Sequence, residues 1–458
     1  MPDSGMAHVA LLPSAEMSHL LPILRIGASL LHQNFQVTLI TVHPTVSDAE
    51  SKIIARFLSA YPQVSEKKLH LLESDADSTA STDPFLLRWH AIRNSAHHLL
   101  SPLLTSMSPP VSALIYDVSL ISPIIPVVTQ LSIPGYVFFL SSARMFSFFV
   151  SFSTTPSWKE LMASGGQSPE QVEIPSLPPL SVSLIPPAFI NPKHPFGAIV
   201  HEDSPNIVKT NGILINSFEN LEPDTLHALS NGTVVSGLPP VHAIGPLVPI
   251  FEFEKTESSS TNAPIIKWLD DQPPESVVFI SFGSRTPMTR EQIREIGDGL
   301  VKCGQRYLWV IKVKSVDRDE EDDLDKVLGK ELVQRLGEKG LGLVVKDFVD
   351  QNEILAHDST GGFLSHCGWN SVVEAVWHGV PVLAWPQGGD QLINAEVVET
   401  AGIGLWERSW RMPVSGQLIA DKINEMMECK SLRARALKLR EDARKGVGET
   451  TLKQLVNE

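Results

Sequence analysis

Short, unbroken apolar runs recur along this chain, each separated from the next by enough residues for one helix. In the first half they are His8–Leu12, Val37–Thr41, Ala113–Asp117, Tyr136–Leu140 and Gly212–Ser217. They do not alternate polar and apolar, as a strand with one wet face would. They suit strands covered on both sides, the condition of a parallel sheet flanked by helices. Between the first two runs, Leu20, Leu24, Ala28 and Leu31 recur at helical spacing beside Ile23, Ile26 and Leu30. Pro22 suits a first helical turn, where the N–H it lacks has no partner to lose. Strand, loop, helix and strand within about 35 residues make a βαβ unit.

A second series follows: Val277–Ser281, Tyr307–Ile311, Leu343–Val345, Gly362–Leu364 and Pro381–Trp385, with Thr289 and Gln292 spaced as a capping box before a helix. Two such series predict an α/β chain of two doubly wound domains facing a cleft, with ligands beyond the carboxyl ends of the strands. Gly245-Pro246 and the polar stretch FEFEKTESSSTNAP set the expected boundaries. These are a first domain over 1–245, a linker over 246–264, a second domain over 265–435 and a C-terminal helix over 436–458 able to pack back on the first domain. Residues 151–211, rich in Pro and Ser, read as long loops and short helices over a site. The acidic run VDRDEEDDLD at 316–325 reads as a solvated loop.

Composition narrows the function. The chain has 458 residues, 43% of them apolar, enough for two cores. A net charge of −15 argues against nucleic acid or an acidic membrane surface as partner. The three cysteines, Cys303, Cys367 and Cys429, form no CxxC, so neither a disulfide framework nor a zinc site is expected, and a reducing compartment fits. No basic signal-peptide start and no membrane-length apolar stretch is evident, so the reading is a cytoplasmic protein without integral membrane association.

The most informative stretch is FVDQNEILAHDSTGGFLSHCGWNSVVEAVWHGVPVLAWPQGGDQ, Phe348 to Gln391. A strand ends at His366, Gly368 permits a tight turn, and Asn370 and Ser371 stand at the start of a helix, Val372 to Trp377. A helix N-terminus with unpaired N–H groups is an anion site. His366, Asn370 and Ser371 would add donors to a diphosphate, and Glu374, one turn on, would accept from a ribose diol. Two plainer readings stay open: Ser371-x-x-Glu374 is also a capping box, and His366 a satisfied core histidine.

HCGWNSVVEAVWHGVPVLAWP with the closing Asp390-Gln391 closely resembles the donor-binding box of plant family 1 UDP-sugar glycosyltransferases. The resemblance implies two facing Rossmann-like domains of GT-B type. It further implies that Phe348 and Gln351 face uracil, that His366, Asn370 and Ser371 hold the diphosphate, and that Trp369 belongs to the same donor site. Glu374 would bind ribose, Asp390 and Gln391 the sugar hydroxyls, and Ser284 of SFGS would reach the phosphates. The family box usually opens with Trp. Phe348 offers uracil a smaller stacking face, and somewhat weaker donor binding is expected. No metal or cofactor is expected: there is no DxD-type acidic pair in a plausible place, and a helix end with His366 can neutralise a leaving diphosphate.

Beyond the box, HVALLPSA, VTLITVHPTVSDAES, DPFLLRW, FGSR and NAEVVETAGIGLWERSW resemble the flavonoid C-glycosyltransferase branch. By that resemblance His19 and Asp117 are the catalytic His and Asp; taken singly they read as a helix-capping residue and a turn residue. The implied activity is inverting transfer of glucose from UDP-glucose to a ring carbon of a phenolic aryl ketone, such as a 2-hydroxyflavanone or the dihydrochalcone phloretin. The alternatives are a flavonoid O-glucosyltransferase and a non-catalytic nucleotide-sugar or flavonoid binder. Partners would be the small-molecule acceptor and the UDP-sugar, with the protein a monomer. Phe85 and Trp89, one helical turn apart, would line an acceptor pocket or belong to helix core. Where the family commonly has Gly-Met-Gly-His, this chain has Glu16-Met17-Ser18-His19. That puts side chains in a glycine loop and a carboxylate close to the base, which would narrow the loop or raise the His19 pKa.

Overall fold

The computed structural model describes residues 6–44, 47–72, 84–152, 154–191, 193–254, 259–283, 288–311, 324–346, 349–410 and 413–445, with backbone alone at 84, 85 and 259–262. The chain divides into two compact units, with the boundary between Lys255 and Thr256.

The first unit contains β1 (His8–Leu12), β2 (Gln36–His43), β3 (Ser65–His70), β4 (Ala113–Asp117), β5 (Gly135–Phe139), β6 (Gln171–Ile174), β7 (Leu177–Ser181), β8 (Gly212–Ile215) and β9 (Val241–Ala243). Seven of these form a parallel sheet in the order β3-β2-β1-β4-β5-β8-β9, while β6 and β7 pair antiparallel on their own. Leu11 of β1 lies beside Leu39 of β2 and Ile115 of β4. Every residue of β1 and β4 is buried, which explains their unbroken apolar runs. The chain winds outward in both directions from the β1/β4 pair. That pair is therefore the switch point, where loops diverge and leave a crevice beyond the carboxyl ends of the strands.

The helix Met17–His32 buries Leu20, Ile23, Leu24, Ile26, Ala28 and Leu30 against this sheet. It begins early enough to place Pro22 in its second turn rather than the first, so the Ser18 carbonyl goes without its usual i+4 donor. The 246–264 stretch, read as linker, gives Leu247, Val248, Phe251 and Phe253 to the first unit's core. Phe253 stands edge-on to Phe57, with ring centroids 5.1 Å apart. The neighbouring Glu254 forms a buried ion pair with Arg25 at 2.8 Å.

The second unit holds β10 (Val277–Ser281), β11 (Arg306–Val310), β12 (Gly342–Val345), β13 (Thr360–Ser365), β14 (Val382–Ala384) and β15 (Gly404–Trp406), all parallel in the order β12-β11-β10-β13-β14-β15. Its switch point is β10/β13, with Ser281 beside Ser365 at the carboxyl ends. Thr289 caps the helix Arg290–Cys303 through the Gln292 N–H, as its spacing predicts. Gln292 does not complete the box: its side chain is fully buried and bonds both backbone groups of Val414. The helix Lys430–Ala443 belongs to this unit and buries Leu432, Ala436, Leu439 and Ala443 along one face. Residues 446–458 and most of the acidic run lie outside the described residues, the run's last two opening the helix Leu324–Leu328. All three cysteines are free thiols. Among the described residues no helix is long and apolar enough to cross a membrane.

Candidate active site

In the first unit the first turn of the helix Met17–His32 delivers His19, and the end of β4 delivers Asp117. His19 Nδ1 lies 2.8 Å from Asp117 Oδ2. The carboxylate is wholly buried and the imidazole about one-fifth exposed. Asp117 fills two offices at once. Oδ1 accepts the Ser119 N–H at 2.9 Å and so caps the 3-10 turn Val118–Leu120; Oδ2 is left for His19. Burial alone would raise the Asp117 pKa. The facing charge of His19, with hydrogen bonds from His19 and Ser119, outweighs burial and holds it below the usual carboxylate value. With the Asp117 carboxylate ionised, Nδ1 carries the proton and Nε2 presents its lone pair, the tautomer a general base needs.

The backbone at Glu16 explains how a glycine-type loop accommodates a carboxylate. Glu16 sits at φ 90° and ψ 146°, in territory that favours glycine. The residue therefore bears backbone strain that glycine would not. Its N–H donates to Glu50 Oε1 at 2.8 Å, and its carbonyl accepts the His19 and Leu20 N–H groups that open the helix.

In the second unit β13 ends at Ser365, and the helix Trp369–His378 begins three residues before the sequence-based start at Val372. Gly368 is its N-cap and has no side chain to cap the first turn. Ser371 is therefore inside the first turn, and the plain capping-box reading of Ser371 and Glu374 does not hold. Both side chains instead accept from Gln351 Nε2, at 3.0 Å and 2.8 Å. Asn370 Oδ1 is buried and lacks a hydrogen-bond partner among the described residues. His366 lies between two glycines. A Cβ on Gly283 would come within 2.8 Å of its Nε2, and one on Gly368 within 2.6 Å. Trp369 is almost wholly buried.

The turn between strand and helix is fixed by groups the sequence reading missed. Cys367 takes φ 63°, its N–H donates to Ser365 Oγ, and its carbonyl accepts Asn394 Nδ2 at 3.1 Å. The same Asn394 amide reaches Asp390 Oδ2 at 2.9 Å, so a fully buried asparagine ties the Asp390-Gln391 corner to the His366 turn. Its place four residues after Asp390 on a helix was the only signal for it. Gln391 uses its amide oxygen to accept the Gln387 and Gly388 N–H groups, which leaves the amide nitrogen as its donor.

Ser284, Phe348 and the side chain of Phe85 lie outside the described residues. Trp89 packs on Phe196 with ring centroids 4.6 Å apart, in a small cluster with Leu86 and Ile199, which is the helix-core reading of that residue. Among the described residues no group of three or more His, Cys, Asp or Glu is placed to hold a metal ion.

The family model described as UDP-glucoronosyl and UDP-glucosyl transferase matches residues 258–441. UDP-glycosyltransferase 708G2 of Citrus unshiu is 51% identical over 471 residues, covering 100% of this chain and 98% of that protein. UDP-glycosyltransferase CGT of Oryza sativa subsp. indica is 41% identical over 458 residues, covering 98% of this chain and 95% of that one. The crystal structure of LpCGTa in complex with UDP matches with a TM-score of 0.85 at 40% identity, covering 99% of each chain. Identity of this order over the whole length, on two parallel-sheet units that repeat the architecture of a UDP-bound relative, makes the chain a member of the UDP-glycosyltransferase family with the GT-B fold.

Proposed function

We propose that the protein transfers glucose from UDP-glucose, with inversion, to a ring carbon of a phenolic aryl ketone such as a 2-hydroxyflavanone or phloretin. The observation that carries the chemistry is the His19–Asp117 pair at 2.8 Å, with the carboxylate buried and the base presented. His19 Nε2 takes the proton of an acceptor hydroxyl, and Asp117 stabilises the imidazolium. A phenol near pKa 10 against an imidazole near 6.5 leaves about 5 kcal/mol for full transfer. An aliphatic alcohol would be far worse, so the base favours a phenol acidified by a conjugated carbonyl. Ionisation places electron density on the ring carbon beside the oxygen. That carbon attacks the anomeric carbon on the face opposite UDP, and the anomeric C–O bond breaks with its electron pair leaving on UDP. The ring proton passes to the departing UDP or to solvent, which restores aromaticity as the phenolate, and the phenolate recovers a proton from the His19 imidazolium.

The second unit is read as the donor site. The start of the helix Trp369–His378, whose N-cap Gly368 has no side chain, receives the diphosphate with His366, Asn370 and Ser371. Glu374, held by Gln351, takes the ribose diol, and Asp390 and Gln391 take sugar hydroxyls. Helix dipole and imidazole neutralise the leaving group, so no metal ion or other cofactor is required. The names of the Oryza relative and of LpCGTa support attack through carbon.

Incubation with UDP-glucose and phloretin, followed by tandem mass spectrometry, tests the proposal. A C-glucoside fragments across the sugar ring and survives hot acid. A product that loses the whole sugar makes the protein an O-glucosyltransferase, and absence of UDP release with any aryl ketone makes it a binding protein.

A further inference from the structure

Asp117 can orient His19 only if its own carboxylate is fixed, and the residue that fixes it comes from another element. Oδ1 of Asp117 is held by the Ser119 N–H within the 3-10 turn Val118–Leu120. That turn is anchored from outside: Arg93, on the helix Pro84–Thr105, donates Nη1 to the Ser119 carbonyl. The same guanidinium is gripped by Asp203, Nη1 to Oδ2 at 2.7 Å and Nη2 to Oδ1 at 3.1 Å. Asp203 in turn accepts the Ser122 N–H at 3.0 Å, just beyond the turn, and Glu202 adds a contact to Nη2 at 2.9 Å from the protein surface. Arg93 is 7% exposed and Asp203 1%.

A buried ion pair is weak evidence for stability, since apolar residues of equal volume often do as well. Something other than bulk stability must account for a planar fork at this position. The guanidinium can bind one carbonyl and both oxygens of a carboxylate in a fixed plane, and no other side chain can. We infer that Arg93 is a positioning residue for the glycosyl transfer, holding the Val118–Leu120 turn so that Asp117 keeps its second oxygen on His19. This rests on the reading of His19 as the general base.

The test is kinetic and uses the full chain. Arg93→Lys keeps the charge, but its single ammonium cannot bind Ser119 and both Asp203 oxygens in one plane. A loosened Asp117 stabilises the imidazolium less, so the acid limb of the kcat/KM profile moves to lower pH. The kcat should fall on the order of tenfold to a hundredfold, with the UDP-glucose KM unchanged. A merely structural role would lower active enzyme without moving the limb. Glu202→Gln, at the exposed end, should match wild type. Where Arg93→Lys shows no cooperative unfolding transition, Asp203→Asn replaces it. That variant puts an NH2 donor in place of one accepting oxygen, so it breaks the two-oxygen grip on Arg93, removes the carboxylate charge, and should shift the limb in the same direction. A folded variant with a wild-type acid limb and kcat overturns the inference. His19→Ala separates the two claims: full transfer by that variant defeats the general-base reading itself, whereas its inactivity beside a wild-type Arg93→Lys defeats only the role of Arg93.

Discussion

Asp117 uses one carboxylate oxygen to cap its own turn at Ser119 and the other, 2.8 Å from Nδ1, to orient His19. The turn-residue reading and the catalytic reading of Asp117 are therefore not alternatives. The cap fixes the carboxylate, and the fixed carboxylate selects the imidazole tautomer.

Asp117→Asn follows from this. An amide cannot compensate the imidazolium, and it can present N–H to Nδ1 and turn the ring to the wrong tautomer. Transfer should fall on the order of a thousandfold or more, with UDP binding by calorimetry unchanged. The buried carboxylate also sets an acid limit on folding. Its folded pKa lies below its ordinary value near 3.8, so its contribution to stability is complete above that value and is lost as pH falls through the depressed one. In the Asn variant this part of the acid destabilisation, below about pH 4, should be missing from denaturant titrations.

Glu16→Gly should stabilise the protein although it deletes a buried side chain. At φ 90° and ψ 146° a side chain costs roughly 1–3 kcal/mol, and glycine removes that strain. Glycine also loosens the unfolded chain by about 0.5–1 kcal/mol. The net gain should be about 1 kcal/mol in chemical denaturation, while Glu16→Ala, which keeps the Cβ, should give no gain. The bond from the residue 16 N–H to Glu50 survives either change, so the start of the His19 helix stays in place.

How much of this was legible varies by element. β1, β4 and β10 were read to the residue because both faces are buried and the apolar run has the strand's own length. β3 (Ser-Glu-Lys-Lys-Leu-His), β9 and β15 were not recognised. They are edge strands, with neighbours on one side only, and edges carry charge or shorten to discourage pairing with other chains. The helix at Trp369 starts earlier than expected because Cys367 takes a positive φ that no periodicity announces. Family resemblance, rather than periodicity, assigned roles to the candidate site residues. Asn394 and Arg93 escaped because each acts by binding backbone 27 or 26 residues away, at Cys367 and Ser119, a pairing that only the fold creates.

His378, at the end of the helix that opens with Trp369, gives the second unit a pH dependence of its own. Burial, with Arg444 and Arg440 nearby, lowers its pKa to about 4 from the ordinary 6.5. The neutral ring donates from Nε2 to Asn352 Oδ1 at 2.7 Å. The folded state binds the proton less well than the unfolded one, so stability is full above pH 6.5 and declines as pH falls towards 4. The loss should reach about 2 kcal/mol by pH 5. His378→Gln keeps a donor and does not titrate, so its midpoint for urea unfolding should change less between pH 7 and pH 5 than that of wild type. Equal changes would mean the ring is not held neutral.

Gly368→Ala tests the seat of His366. Gly368 has φ −57°, which alanine adopts without strain, so backbone effects are small. The added methyl would lie 2.6 Å from His366 Nε2, closer than real contacts allow, and the ring must turn away. If Nε2 faces the diphosphate, UDP affinity should fall roughly tenfold, the loss of one charge-assisted hydrogen bond, with the melting temperature within a few degrees of wild type. Gly283→Ala crowds the same ring from the other side at 2.8 Å, but at φ +73°, so it should lose both UDP affinity and stability. Two variants that weaken UDP binding alike, of which only Gly283→Ala also melts early, would locate the effect in the imidazole. Unchanged UDP affinity in Gly368→Ala would mean that His366 does not contact the nucleotide through that nitrogen.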